Sequence, residues 1–265
     1  MALSNATSLL SRKEFWGPVT ATLDWCEANY QFSRYVAEAA NTFSNIFTVS
    51  LACYGARQAI LESLPSRYLV GYAGFALVGV GSFIFHATLL FEAQLADELP
   101  MIYVVTYCCA ILCDTQRGFS FRNSNALPLS IAFFLFNILF TWSYMVWRNP
   151  IYHQVVFAIL MISTAFRTAY LLRDEEIQKR VPGSERSAVA RVFTSGAVIF
   201  AFGFFVWNMD NIFCNTAIGT YLMLVGNTYL TLCIKDDYHN YALTSACGMT
   251  HIARVAKSKM LFTVV

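Results

Sequence analysis

Continuous apolar runs about the length of a bilayer are the feature that most constrains this chain. A helix crossing about 30 Å of hydrocarbon needs roughly 20 mainly apolar residues. Seven stretches qualify, at 39–60, 68–90, 96–114, 127–147, 151–172, 190–209 and 217–234. A transmembrane barrel would instead alternate apolar and polar residues over segments of about ten. The expected fold is therefore all-α, a polytopic transmembrane bundle of seven helices. The first span is the weakest, with Asn41, Ser44, Asn45 and Thr48 in it. The seventh looks truncated: 18 residues would rise only about 27 Å. With 57% apolar and 13% charged residues, a soluble monomer could not cover its apolar surface. A net charge of +2 excludes a nucleic-acid binder that relies on basic charge.

Lysine and arginine set the expected orientation. With seven spans, 13 of the 18 basic residues fall on one side, including Arg57, Arg67, Arg117, Arg173 and Arg186. Only Arg12, Lys13, Arg34 and Arg148 fall on the other, and Arg167 lies inside a span. The N-terminus is then luminal or extracellular and the C-terminus cytosolic. The expected organisation is a luminal segment over 1–38, a seven-helix membrane domain over 39–234 and a cytosolic tail over 235–265. The first 38 residues hold no sustained apolar run, so no cleavable signal peptide is expected. The one long polar connection runs from Arg173 to Arg191.

Ionisable residues inside a membrane are costly and so are functional candidates. His86 lies near the luminal end of the second span, with Ser82 one turn away on the same face. Asp97 and Glu98 open the third span across a short hairpin, and Pro100 behind them suits a first helical turn. A histidine, a hydroxyl and a carboxylate at one depth fit part of a metal or acyl-transfer site. The plainer alternative is a transmembrane histidine bonded to a neighbouring carboxylate. His153 sits at the mouth of the fifth span, where an interfacial histidine usually binds water or a loop carbonyl, and His239 and His251 fall in the tail. In the N-terminal segment, Asp24, Glu27, Asn29 and Glu38, with backbone carbonyls, offer the oxygens calcium takes. A solvated acidic loop with an N-capping Asp explains the same residues. Only Cys26 and Cys214 lie on the oxidising side, so a disulfide is expected between them.

Several segments resemble the alkaline ceramidase family. They are Phe15-Trp16-Gly17-Pro18, Thr22-Leu23-Asp24-Trp25-Cys26-Glu27, Gly81-Ser82-Phe83-Ile84-Phe85-His86, Asp97-Glu98-Leu99-Pro100-Met101, Pro150-Ile151-Tyr152-His153-Gln154 and Trp207-Asn208-Met209-Asp210-Asn211. Six in order are highly specific. The resemblance implies a seven-span hydrolase of the endoplasmic reticulum or Golgi that cleaves the amide of ceramide or phytoceramide to sphingoid base and fatty acid. It implies that His86 is one of three histidine ligands of a catalytic zinc. Asp97 would help activate water and Ser82 would help stabilise the oxyanion. It also implies a structural calcium on Asp24, the Trp25 carbonyl, Glu27, Asn29 and Glu38.

One departure matters. The family carries its other two zinc ligands as an H-x-x-x-H pair opening the last span. Here Asp210-Asn211-Ile212-Phe213-Cys214 passes straight to Asn215-Thr216-Ala217. The pair is absent, and no remaining histidine replaces it. An internal deletion, through a skipped exon or a faulty gene model, explains both the missing pair and the short seventh span. A catalytic zinc normally needs three protein ligands, so the chain as written is expected to bind zinc poorly and hydrolyse little ceramide. The competing reading is a non-catalytic seven-span lipid sensor or scaffold on the same architecture.

Overall fold

The computed structural model describes residues 14–25, 27–113 and 126–213. Seven helices occur among them: α1 (Ala39–Leu61), α2 (Ser66–Thr88), α3 (Phe91–Cys113), α4 (Ala126–Trp147), α5 (Pro150–Arg173), the short α6 (Glu175–Arg180) and α7 (Gly183–Phe213). The described residues contain no strand. Five helices, α2, α3, α4, α5 and α7, are long and apolar enough to cross a membrane, which makes this a multi-pass membrane protein. The predicted seventh span, the tail and both Cys26 and Cys214 lie outside the described residues.

The polar residues of α1 are absorbed locally. Ser44 and Asn45 donate to the Asn41 carbonyl at 2.8 and 2.9 Å, and Ser50 donates to that of Ile46 at 2.7 Å. Such back-bonding lets a polar side chain sit on a helix without leaving a donor bare. At the start of α1 the carboxylate of Glu27 accepts from the free N–H groups of Ala40 (2.7 Å) and Asn41 (3.1 Å). A charge at the positive end of the helix does the capping that Glu38, at the N-cap position, does not.

Helices α1, α2 and α3 pack side by side through small residues, as membrane helices do where no aqueous hydrophobic drive exists. A Cβ on Gly55 would lie 2.2 Å from the ring of Tyr72, so the absent side chain makes room for that buried tyrosine. Helices α4 and α5 join through an aromatic core against α3, where Ile102, Phe140 and Tyr144 are buried and Tyr152 and Phe157 lie against them. The Phe140 ring stands 5.8 Å from Tyr144 and 5.3 Å from Tyr152.

Two sequence expectations change. The third helix starts at Phe91 rather than 96, so Asp97 and Glu98 lie almost two turns inside it and Pro100 is internal. The stretch expected as a polar connection after Arg173 is largely helical, and α7 begins at Gly183 instead of 190. Its charged first turns prolong an apolar helix without interrupting it.

Candidate active site

Helices α2 and α3 meet through a two-residue corner in which Leu89 adopts a left-handed conformation (φ 52°) and is wholly buried. A branched residue there is strained unless its surroundings over-determine it. They do: the Leu89 carbonyl takes the N–H groups of both Thr20 and Ala21 at 3.1 Å, while its own N–H returns to the Phe85 carbonyl at 2.7 Å. The N-terminal segment therefore lies as a strap over the corner. Further bonds run from Phe91 N to Thr20 Oγ1 (2.9 Å), Thr22 N to Gln94 Oε1 (2.8 Å) and Gln94 Nε2 to Thr22 Oγ1 (2.8 Å). Ala37 N and Glu38 N donate to the Ala87 and His86 carbonyls at 2.9 and 3.0 Å. Tyr30 donates its hydroxyl to the Thr88 carbonyl at 3.3 Å. Burial, and then the Glu14 carboxylate, hold that phenol above its usual pKa, which keeps it a donor.

Beneath the strap, Glu38 is fully buried. Its Oε1 accepts from Trp25 N at 3.1 Å, and its Oε2 accepts from Asn41 Nδ2 at 3.1 Å and lies 2.5 Å from His86 Nδ1. A carboxylate on Nδ1 fixes the ring and leaves Nε2 for another partner. Ser82, one turn back along α2, and His86 both lie within interaction range of the Asp97 carboxyl. The backbone explains the meeting. A Cβ on Gly81 would fall 2.0 Å from the Ala96 carbonyl oxygen, so only glycine lets α2 and α3 cross this closely. Pro100 has no N–H to bond that carbonyl one turn earlier, and the oxygen instead lies against Gly81. Ser82 and Asp97 are the next residues along each helix from this crossing.

A profile described as Ceramidase matches residues 17–229. The chain belongs to the ceramidase family. It is 38% identical over 207 residues to mouse alkaline ceramidase 3, covering 78% of this chain and 73% of the relative. It is 32% identical over 211 residues to an alkaline ceramidase of Saccharomyces cerevisiae, covering 76% of this chain but 65% of the yeast protein, just under two thirds. A putative alkaline ceramidase of Dictyostelium discoideum is 32% identical over 227 residues, covering 75% of this chain and 77% of the relative.

Within this ceramidase chain the expected site residues divide into two groups. Ser82, His86 and Asp97 come together, with Glu38 behind the histidine. Asp24 and Asn29 bond each other, Asn29 Nδ2 to Asp24 Oδ1 at 3.0 Å, while Glu27 caps α1 and Glu38 serves His86. The acidic loop is thus only partly solvated, and Asp24 caps no helix. Among the described residues, no three His, Cys, Asp or Glu side chains stand together so as to hold a metal ion.

Sequence reasoning missed a second buried network. Tyr144 donates to the Glu98 carboxylate, Gln94 Nε2 reaches the same carboxylate at 3.1 Å, and His153 Nε2 lies 2.9 Å from the Glu98 carbonyl oxygen. His153 is therefore buried against α3 and does not face water or a loop. The visible signal was Gln94 and Glu98, four apart and so on one face of an apolar helix.

Proposed function

We propose that this chain is an alkaline ceramidase-type membrane amidase whose activity is impaired in the sequence as written. The observation that carries the reading is the Ser82–Asp97–His86 cluster, with His86 Nδ1 held by Glu38. In the reaction this implies, Asp97 takes a proton from water attacking the amide carbonyl of ceramide or phytoceramide. Ser82 donates to the oxygen that becomes negative, Asp97 returns its proton to the amide nitrogen as the C–N bond breaks, and sphingoid base and fatty acid leave. Developing charge at the carbonyl is where positioned donors contribute most.

The family's zinc would supply a Lewis acid, but these residues do not complete its site. His86 offers one nitrogen and Asp97 an oxygen, whereas a catalytic zinc needs three protein ligands and an open position. Asp97 then acts on water without the acidifying help of a metal, and hydrolysis is expected at background. Calcium matches by donor type only, because Asp24, Glu27 and Glu38 are engaged by Asn29, the start of α1 and His86 and do not stand together. Asp24, Glu27, Asn29, Glu38 and the Trp25 carbonyl are all hard oxygen ligands, and calcium held there would stiffen the strap above the cluster. An endoplasmic reticulum or Golgi membrane is the location consistent with the family resemblance.

The deciding experiment measures zinc per chain and ceramide hydrolysis on the same purified material. Sub-stoichiometric zinc and background turnover are expected. One zinc per chain, with turnover that Asp97→Asn abolishes, would overturn the impairment. A non-catalytic lipid sensor is the second reading, favoured by the absent H-x-x-x-H pair. It requires saturable ceramide binding without cleavage.

A further inference from the structure

The end of α2 remote from His86 carries an arginine with no ion-pair partner among the described residues. Arg67, the second residue of α2, is only 5% exposed. Its Nε has no hydrogen-bond partner, and among the described residues no carboxylate forms an ion pair with it. Its guanidinium carbon lies 5.3 Å from the centre of the Tyr68 ring. Tyr107 donates its hydroxyl to the Arg67 carbonyl at 2.8 Å, which pins this turn against α3. The helix start has no side-chain cap from Pro65 and no acidic residue in its first turn, and only Tyr68 N is seen to bond there, to the Pro65 carbonyl at 3.0 Å. Helical side chains lean towards the N-terminus, so the arginine shares that end of the helix with the positive pole.

An arginine cannot shed its proton, and its buried Nε–H, with no partner among the described residues, carries the cost of an unmade hydrogen bond. An anion from outside the chain resolves both problems. We infer that Arg67 and the first turn of α2 form a binding site for the phosphate of an anionic phospholipid. The guanidinium fork matches phosphate oxygens two at a time, and free N–H groups at a helix start are themselves phosphate donors. Depth selects the lipid over dissolved phosphate. Arg67 and His86 are 19 residues apart on one helix, about 29 Å at 1.5 Å per residue. This is the thickness of a hydrocarbon core. A site that far from the His86 cluster lies level with the opposite headgroup layer.

The test uses the purified full-length chain in phosphatidylcholine nanodiscs with and without phosphatidic acid, followed by native mass spectrometry and thermal melting. The expected result is one retained phosphatidic acid and a raised melting temperature. Retention should be about tenfold weaker in Arg67→Met, as befits loss of a charged hydrogen bond, and intermediate in Arg67→Lys. If millimolar inorganic phosphate raises the wild-type melting temperature as much as the lipid does, and Arg67→Met loses that rise, the phosphate site stands but its ligand is the dissolved ion. Absence of retention in the wild type, or equal retention in wild type and Arg67→Met, overturns the site. No readout depends on amide hydrolysis, so ceramidase activity can be absent without touching this result.

Discussion

Replacing Gly81 by alanine attacks the crossing at which Ser82 and Asp97 meet. The new Cβ would lie 2.0 Å from the Ala96 carbonyl oxygen, 2.6 Å from its carbon and 2.9 Å from Asp97 N. All three are backbone atoms, so no side chain can swing aside. Carbon and oxygen rest in contact at about 3.3 Å or more, and the two helices must therefore separate by roughly 1.3 Å. Overpacking a filled interior costs about 1–3 kcal/mol, and a clash with backbone belongs at the upper end. For a chain of this size, ~3 kcal/mol corresponds to a fall of roughly 6–12 °C in melting temperature. Gly71 on the same helix is the control, because a Cβ there meets nothing within 4 Å. Alanine at position 71 should be neutral or stabilise by up to about 1 kcal/mol through helix propensity. The two variants would be melted side by side in detergent. If Gly81→Ala melts with Gly71→Ala, the crossing does not hold the site together.

Three further outcomes follow from the same geometry. Glu27→Ala removes the carboxylate that accepts from Ala40 and Asn41, and should cost about 1 kcal/mol as lost caps do, read as a lower melting temperature. Tyr144→Phe strips the buried Glu98 of a donor, and chemical denaturation should register roughly 1–3 kcal/mol. Calcium at about a hundredfold over its dissociation constant should add some 2.7 kcal/mol and chelator should reverse it. An unchanged melting curve would remove calcium from the strap.

The helices were legible because apolar runs need no long-range information, and Ser82 with His86 was legible from helical spacing alone. The start of α3 was not. Glu92 and Gln94 look like corner residues, but Gln94 is buried by bonds to Thr22 and Glu98 that cross 72 and 4 residues of chain. Pro100 is misleading in the same way. Proline marks a first turn in most helices, and here the carbonyl it frees lies against a glycine of the neighbouring helix. The Glu38–His86 pair, 48 residues apart, has no local trace, since neither residue's neighbours dictate which carboxylate the imidazole meets. Glu38 stood out only as an oxygen donor for calcium, and its place behind the histidine needed the fold.

The strap has a consequence for how the protein is made. Residues 14–37 leave the ribosome before residues 86–94, to which their bonds of longest sequence range run. Until the α2–α3 corner has been synthesised and inserted, the Thr20 and Ala21 amides have no Leu89 carbonyl and Glu38 has no imidazole. A segment translated before the corner it binds is thus among the last to settle. Damage to α3 should therefore appear in residues 14–37, as a strap left open to protease.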